Sequence, residues 1–176
     1  MKLAFLYAGQ GSQKQGMGED FYQAFPQIRP NLDNTSAGFD LRDICFRAPM
    51  STLSQTQYTQ PCMAAFAAAV TELLFERGIR PDYAAGLSLG EYSALYAAGV
   101  FDESTMLELL AFRGQVMAET TAHMRTKMMA IMGLTENRVS EAVEEAQRMA
   151  LGIVSCANFN CKGQTVIGGE EPAVDR

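Results

Sequence analysis

Tryptophan is missing from this sequence, and histidine occurs only once, as His123. The four cysteines, at positions 45, 62, 156 and 161, form no Cys-x-x-Cys pair. Zinc sites and the disulfide frameworks of small secreted domains both need more closely spaced ligands or cysteines than this. We therefore expect no metal site and reduced thiols, which favours a cytoplasmic protein.

Positive charge and long apolar runs are also scarce. The chain has 14 lysines and arginines against 20 aspartates and glutamates, a net charge of −6, and it contains no basic run. A nucleic-acid binder carries a basic surface, so we expect no nucleic-acid partner.

The longest apolar stretch, residues 62–70, is far too short to cross a membrane, and residues 1–7 lack the apolar region of a signal peptide. We expect no membrane partner.

The most informative stretch is residues 86–90, Gly-Leu-Ser-Leu-Gly. Gly-x-Ser-x-Gly is the pattern of a nucleophile elbow, a tight strand-to-helix turn that holds a serine hydroxyl out into a cleft. Residues 83–85 can form a short buried strand, and residues 89–98 are rich in good helix formers. This context predicts that Ser88 is a nucleophile. The N–H of Leu89, at the helix start, can then stabilise negative charge on a reacting carbonyl.

A second glycine-rich segment, residues 9–18, follows a buried strand predicted over residues 2–7. It is not a nucleotide-binding Gly-x-Gly-x-x-Gly motif, because Lys14 stands where the third glycine is needed. An oxyanion hole beside an elbow takes its second N–H from a loop that follows another strand. The backbone N–H of Gln10 is the candidate for that donor, and the alternative is a flexible turn.

Apolar spacing predicts two further helices, over residues 61–77 and 103–120, the second of them capped by Asp102. The inward stripe of the first runs from Met63 to Leu74. The inward stripe of the second consists of Met106, Leu109, Leu110, Arg113 and Met117.

Arg113 is the exception on its apolar stripe. A buried guanidinium without partners is very costly, so it needs an anion or several acceptors. It either pairs within the fold or extends to the edge of the core, or its planar fork binds a substrate carboxylate. The pattern alone leaves these readings open.

Residues 125–176 follow a different order. Strands are predicted at residues 128–134, 153–157 and 164–167, with a turn over 158–163. Thr135 caps a helix between the first two strands, and another helix begins near Glu170. The order β-α-β-β and the start of a helix make up most of a ferredoxin-like unit. We divide the chain into an α/β core, residues 1–124, which carries the elbow, and the first part of a ferredoxin-like α+β subdomain, residues 125–176.

Several motifs together resemble malonyl-CoA:acyl carrier protein transacylases. Residues 86–95, Gly-Leu-Ser-Leu-Gly-Glu-Tyr-Ser-Ala-Leu, and residues 9–13, Gly-Gln-Gly-Ser-Gln, carry most of the resemblance. Residues 59–61, 113–115 and 158–160 continue it in the right order along essentially the whole chain. There is one departure, because the family usually has a histidine where Leu87 stands.

The resemblance implies an α/β-hydrolase-like acyltransferase core with a smaller ferredoxin-like subdomain. It also implies that Ser88 takes a malonyl group from malonyl-CoA and passes it to the pantetheine thiol of acyl carrier protein, in fatty acid or polyketide synthesis. No bound cofactor is implied. The N–H groups of Leu89 and Gln10 would form the oxyanion hole, and Arg113 would bind the malonyl carboxylate. Further pocket residues suggested by the matching motifs are Gln60, Leu87 and Asn160.

A general base for Ser88 is not evident. A serine nucleophile usually relies on a histidine, and His123 stands in a polar stretch typical of solvent-exposed side chains. The family places its catalytic histidine, and a glutamine that holds it, later than residue 176. We therefore interpret the chain as the N-terminal portion of a transacylase, with both domains incomplete at the C-terminus and inactive alone. The alternatives are a serine esterase or thioesterase, and a non-catalytic fragment that binds acyl-CoA or a carrier protein.

Overall fold

The computed structural model describes residues 2–176. By its internal contacts the chain divides into two compact units, Met1–Glu119 and Thr120–Arg176. Within the described residues, no helix has both the length and the apolar character needed to span a membrane.

Within the described residues, the first unit combines a two-stranded parallel sheet with seven helices, the last of which runs two residues past Glu119. Its strands are β1 (Ala4–Tyr7) and β2 (Tyr83–Gly86), and its helices are α1 (Glu19–Ala24), α2 (Arg29–Leu32), α3 (Leu41–Phe46), α4 (Met50–Leu53), α5 (Thr56–Glu76), α6 (Leu89–Ala97) and α7 (Glu103–Thr121). A 3₁₀ turn, Pro26–Ile28, precedes α2. Parallel strands need a long crossover connection, and α1 to α5 all lie in the connection between β1 and β2.

The two faces of this small sheet differ. On one face, Phe5 stacks on Phe75 of α5 with 6.4 Å between ring centroids, and the hydroxyl groups of Tyr7 and Thr71 are 2.8 Å apart. On the other face, Leu6 is 80% exposed and Tyr83 is 63% exposed. The prediction that both strands are buried is therefore wrong for this second face, because successive side chains of a strand point to opposite sides and only one side is packed within the described unit.

Helix α5 is buried mainly through small side chains. It begins at Thr56, so the prediction that it begins at Pro61 is wrong; the proline lies in the second turn, where it removes one backbone hydrogen bond. The predicted stripe from Met63 to Leu74 is mostly only half-buried. The buried residues are Thr59, Gln60, Pro61, Cys62, Ala64, Ala65, Ala68, Ala69, Thr71 and Leu73. The spacing of apolar residues predicted the wrong buried face for α5, because apolar residues lie on most sides of this helix.

Helix α7 is capped as predicted, since the Asp102 carboxylate accepts a hydrogen bond from the N–H of Thr105 at 2.8 Å. Its buried stripe is rotated from the predicted one and consists of Met106, Leu107, Leu110 and Gly114. Leu109 and Met117 are each 42% exposed instead. The reason is Gly114: a Cβ atom there would lie 2.8 Å from the Cα of Gln57, so this side of α7 approaches the backbone of α5 most closely.

The second unit is a three-stranded antiparallel sheet with the spatial order β3 (Thr126–Met132), β5 (Gln164–Glu170), β4 (Val154–Cys161). Two helices accompany it, α8 (Glu136–Arg148) and α9 (Glu171–Val174). Thr135 caps α8 as predicted, accepting a hydrogen bond from the N–H of Arg138. The buried core consists of Val139, Val143, Ala146, Val154, Ile167, Ala173 and Val174.

The predicted turn over residues 158–163 is mostly strand. Residues up to Cys161 pair with β5, and only residues 162 and 163 form the turn, with Gly163 at φ 83°. Turn-forming asparagines are tolerated because β4 lies at one side of the described sheet and its pairing has two register shifts. The order β-α-β-β-α is the predicted one.

Candidate active site

Ser88 occupies a strained turn between β2 and α6. Its backbone angles are φ 55° and ψ −112°, in a region that residues with a side chain rarely adopt. The glycines on either side make the turn possible. A Cβ atom on Gly86 would overlap the backbone of Gly90, and one on Gly90 would lie 2.8 Å from the carbonyl oxygen of Ala8. The prediction of a strand–turn–helix elbow is confirmed, and its serine is exposed.

Two backbone segments meet beside this serine. Leu89 is the first residue of α6, so its N–H has no partner within the helix. The Leu87 N–H donates to the carbonyl oxygen of Tyr7 at 3.1 Å, which ties the elbow to the end of β1. A Cβ on Gly9 would lie 2.8 Å from the Leu87 carbonyl oxygen, so the chain entering Gln10 runs directly alongside the elbow.

Arg113 of α7 reaches the elbow serine. Its Nη2 donates to Ser88 Oγ at 3.1 Å, and its Nη1 donates to Gln60 Oε1 at 2.5 Å. The side chain is half-buried, and it forms no ion pair with a carboxylate of the described residues. Of the alternatives left open by the sequence, pairing with a carboxylate of the fold is therefore not the one found among these residues. Its partners are a serine hydroxyl and an amide oxygen.

Gln60 holds this guanidinium from a fully buried position on α5. While its amide oxygen accepts from Arg113, its Nε2 donates to Met117 Sδ at 3.4 Å. Arg113 and Met117 are one turn apart on α7, so the amide contacts the same helix at both ends. The close approach of α7 to α5 at Gly114 brings these groups together.

Tyr92 is a site residue that the sequence argument did not single out. The Arg113 guanidinium carbon lies over its ring, 5.9 Å from the centroid. Its position near the start of α6 does not by itself indicate a contact with an arginine of another helix, so the sequence offered no signal for it.

The remaining predicted residues are Leu87, in the elbow itself, and Asn160 and His123, in the second unit. Leu87 is 49% exposed and its side chain lies against Gly9. Asn160 belongs to the second unit, in β4, where its amide donates to Gln164 Oε1 at 2.9 Å. His123 also belongs to the second unit, in the turn after α7, and is exposed.

A cavity of about 820 Å³ in the first unit is not this site. It lies between β1, the loop residues 12–18 and α5, and neither Ser88, Gln60 nor Arg113 lines it. Across residues 2–176, no group of three His, Cys, Asp or Glu side chains is arranged to hold a metal ion.

A family model described as "Acyl transferase domain" matches residues 4–176. The chain belongs to the acyl transferase domain family. This acyl transferase domain is 39% identical over 175 residues to the polyketide biosynthesis malonyl CoA-acyl carrier protein transacylase BaeC of Bacillus velezensis. It is 37% identical over 178 residues to the malonyl CoA-acyl carrier protein transacylase of Escherichia coli K12. The matches cover 99% of this chain, and 58% and 57% of the two relatives.

Solved structures agree with the predicted fold. FabD of Acinetobacter baumannii matches with a TM-score of 0.92 and 36% identity, over 99% of this acyl transferase domain and 56% of that chain. The malonyl-transacylase in the complex PlMCAT:AntF, with a type II polyketide synthase acyl-carrier protein, matches with a TM-score of 0.90 and 37% identity, over 99% and 57% of the two chains. The predicted acyltransferase fold is confirmed, in a chain that spans less than two thirds of these relatives.

Proposed function

We propose that this acyl transferase domain takes part in transferring a malonyl group from malonyl-CoA, through an ester on Ser88, to the pantetheine thiol of acyl carrier protein. The observation that carries the proposal is the hydrogen bond from Arg113 to Ser88 Oγ at 3.1 Å. It means that a nucleophile and a planar two-pronged cation share one small site. An acyl group with a carboxylate close to its thioester carbon satisfies both at once.

The steps follow from these positions. The oxygen of Ser88 attacks the thioester carbon, the carbon–sulfur bond breaks, and CoA leaves as a thiolate that takes up a proton. The N–H groups of Leu89 and Gln10 stabilise the charge on the carbonyl oxygen in between. The thiol of acyl carrier protein then attacks the serine ester and releases the hydroxyl of Ser88. Gln60 keeps Arg113 in place, and Leu87 and Asn160 are proposed as further contacts of the substrate.

Removing the proton of Ser88 requires a base, and Arg113 cannot be that base because a guanidinium stays protonated in proteins. Its hydrogen bond to Oγ nonetheless favours the ionised oxygen over the neutral hydroxyl. Among residues 2–176 the serine has no recorded carboxylate or imidazole partner, so we expect acylation of this chain alone to be slow.

The position of Arg113 also separates the proposal from an esterase or thioesterase for neutral acyl groups. Such an enzyme gains nothing from a half-buried guanidinium beside its nucleophile. The absence of an internal carboxylate partner, within the described residues, favours a ligand that brings its own carboxylate.

The test is intact-mass spectrometry of the chain after incubation with malonyl-CoA or acetyl-CoA, at neutral pH and at a higher pH where hydroxide replaces a base in part. We expect an adduct of one malonyl group at Ser88, formed faster than the acetyl adduct. Peptide mapping identifies the modified residue, and Ser88→Ala gives no adduct.

Ser93→Ala is the matched control, because Ser93 lies one turn further along α6 and is buried rather than exposed. It should be acylated like the wild type. An adduct that persists in Ser88→Ala contradicts the assignment of the nucleophile. Equal rates for the two acyl groups contradict the assignment of the acyl class.

We propose three further properties: catalysis without a bound cofactor, a cytoplasmic location, and a division of the chain into an acyltransferase core and a ferredoxin-like part. The first two are tested by activity of metal-stripped, dialysed protein and by cell fractionation. The third is tested by limited proteolysis, which should cut first near the boundary between the two units.

A further inference from the structure

Three side chains contact the Arg113 guanidinium: Gln60, Ser88 and Tyr92. Gln60 and Ser88 accept hydrogen bonds from its two terminal nitrogens, at 2.5 and 3.1 Å. The ring of Tyr92 lies under the guanidinium carbon at 5.9 Å, within the distance of about 6 Å at which a cation and an aromatic face attract each other.

The ring is itself held in place. Tyr92 is half-buried and packs against the main core of the first unit, and its centroid lies 6.5 Å from that of Phe101. Its backbone belongs to α6, the helix that begins directly after Ser88. The nucleophile and the ring are therefore fixed to one rigid element.

The two hydrogen bonds alone leave one motion of the guanidinium unrestrained. They fix where its two prongs point, but the group can still tilt about the line between its acceptors. A ring below the guanidinium opposes that tilt. Because an ordered guanidinium loses less freedom when it binds a carboxylate, such restraint increases affinity without adding a contact to the ligand.

We propose that Tyr92 is a positioning residue, whose ring holds the Arg113 guanidinium in the orientation that receives the carboxylate of an acyl group. The orientation of Arg113 is a property of the free chain. Its consequence for acyl selectivity rests on the proposed function. A cation–ring contact at a partly buried site corresponds to roughly a 5- to 30-fold effect on a binding or rate constant.

The first experiment measures the orientation directly, in the chain of residues 1–176. Side-chain N–H signals of arginine are recorded by ¹H–¹⁵N NMR, and Arg113→Lys identifies the Arg113 signals by their loss. We expect ring-current-shifted Arg113 signals in the wild type and in Tyr92→Phe, which keeps the ring. Loss of the ring removes its ring-current shift whatever the orientation of Arg113, so the readout in Tyr92→Leu is the rate at which the Arg113 side-chain N–H groups exchange with water. We expect this rate to rise in Tyr92→Leu and to stay near the wild-type value in Tyr92→Phe. An unchanged rate in Tyr92→Leu overturns the proposal.

The second experiment measures selectivity, as the ratio of malonyl to acetyl adduct formed at Ser88 under single-turnover conditions. We expect Tyr92→Leu to lower this ratio about 5- to 30-fold and Tyr92→Phe to leave it near the wild-type value. Equal losses for both acyl groups in Tyr92→Leu make the tyrosine a structural residue and overturn its positioning role. A ratio that does not change in Arg113→Ala contradicts the proposed function instead, and the NMR result then still decides the role of Tyr92.

Folding of each variant is checked by circular dichroism and thermal melting. If Tyr92→Leu does not fold, Tyr92→Met replaces it in both experiments, because methionine fills the core space more fully without an aromatic ring. We expect Tyr92→Met to change the exchange rate of the Arg113 side-chain N–H groups and the ratio of malonyl to acetyl adduct in the same way as Tyr92→Leu. If neither changes in Tyr92→Met, the proposal is overturned.

Discussion

The two units of this chain are built under different constraints. Around the elbow of the first unit, backbone segments approach so closely that only glycine fits, and a fully buried glutamine amide holds an arginine side chain. The second unit places valines and an alanine of α8 against its sheet, as an ordinary amphipathic helix does. Among residues 2–176, two non-glycine residues have a positive φ, and they differ in setting: Ser88 stands at the elbow, and Ala150 stands two residues after the end of α8.

The difference between the elbow and α8 shows where a functional site restricts the choice of amino acids. On the α8 face of the second unit, many apolar residues of similar size would serve, although Gly169 of β5 is restricted because its Cβ would overlap the backbone of Ile153. In the first unit, the residues around Ser88 are specified by atoms of other segments, so substitutions there should affect folding and chemistry together. Four pairs of substitutions follow, from the largest expected effect to the smallest. Two pairs compare the units with each other, and two compare a restricted position of the first unit with an unrestricted one on the same helix.

Gly90→Ala should destabilise the first unit by about 3 kcal/mol or more, because its Cβ would overlap the backbone at Tyr7 and Ala8. Gly168→Ala in β5 is the counterpart, since its Cβ would make only ordinary van der Waals contacts, the nearest of them with Met128 Cγ at 3.4 Å. We expect this change to alter the free energy of unfolding by less than about 1 kcal/mol. Urea denaturation of both variants measures the difference. Similar losses in the two would remove the contrast between the units.

Gln60→Glu should abolish the preference for malonyl over acetyl groups. The new carboxylate would pair with Arg113 inside the protein and compete with the carboxylate of the acyl group. The expected fall in malonylation of Ser88 is about tenfold to a hundredfold, with acetylation changed little.

Gln57→Glu is a suitable control for that prediction, since this residue lies one turn earlier on α5 and its amide donates to Gln55 instead. A malonyl preference retained in Gln60→Glu would show that Arg113 does not read the acyl carboxylate.

Ser88→Gly and Ala150→Gly should each increase stability by roughly 0.5–1 kcal/mol, because glycine relieves the positive φ at both positions. Only the first should eliminate acylation. Thermal melting and mass spectrometry of the two variants separate strain that accompanies a function from strain at a helix end. A loss of stability in Ser88→Gly would mean that the hydrogen bond between Arg113 and the serine side chain stabilises the fold by more than the strained backbone of Ser88 destabilises it.

Glu103→Gln should raise the melting temperature at neutral pH by about 1–2 °C. Burial raises the pKa of Glu103, its Oε2 accepts a hydrogen bond from Asn31, and Glu72 adds repulsion. A carboxyl whose folded pKa is raised binds its proton more readily in the folded state, so its ionisation lowers stability as pH rises through the folded pKa. The advantage of the glutamine variant should therefore shrink as the pH falls through the raised folded pKa, and it should be gone once the carboxyl is protonated in both states, below about pH 4.

The exposed Glu108 on the same helix provides the control for this pH dependence. Glu108→Gln should leave the melting temperature nearly unchanged at neutral pH, because the side chain is exposed. An equal, pH-independent gain from both variants would show that net charge, and not burial, is responsible.

The sequence was sufficient for the features that depend on local chemistry. The elbow around Ser88, the caps at Asp102 and Thr135 and the order of elements in the second unit all follow from a few neighbouring residues. The buried faces of α5 and α7 did not follow, because they depend on Gly114 meeting the backbone at Gln57, a contact between distant segments. Tyr92 was missed for a similar reason: its ring matters only through Arg113, and no pattern along the chain records that contact.

The contact between Arg113 and Ser88 has one further consequence under the proposed function. In the free chain the cation and the hydroxyl satisfy each other. A carboxylate is a stronger acceptor than a hydroxyl, so an arriving malonyl group draws the guanidinium away from the serine oxygen. That oxygen then loses the donor that favoured its ionised form, so removal of its proton depends more on the base. A neutral acyl group leaves the contact between Arg113 and Ser88 in place. Binding of the substrate carboxylate and ionisation of the nucleophile therefore compete for one guanidinium.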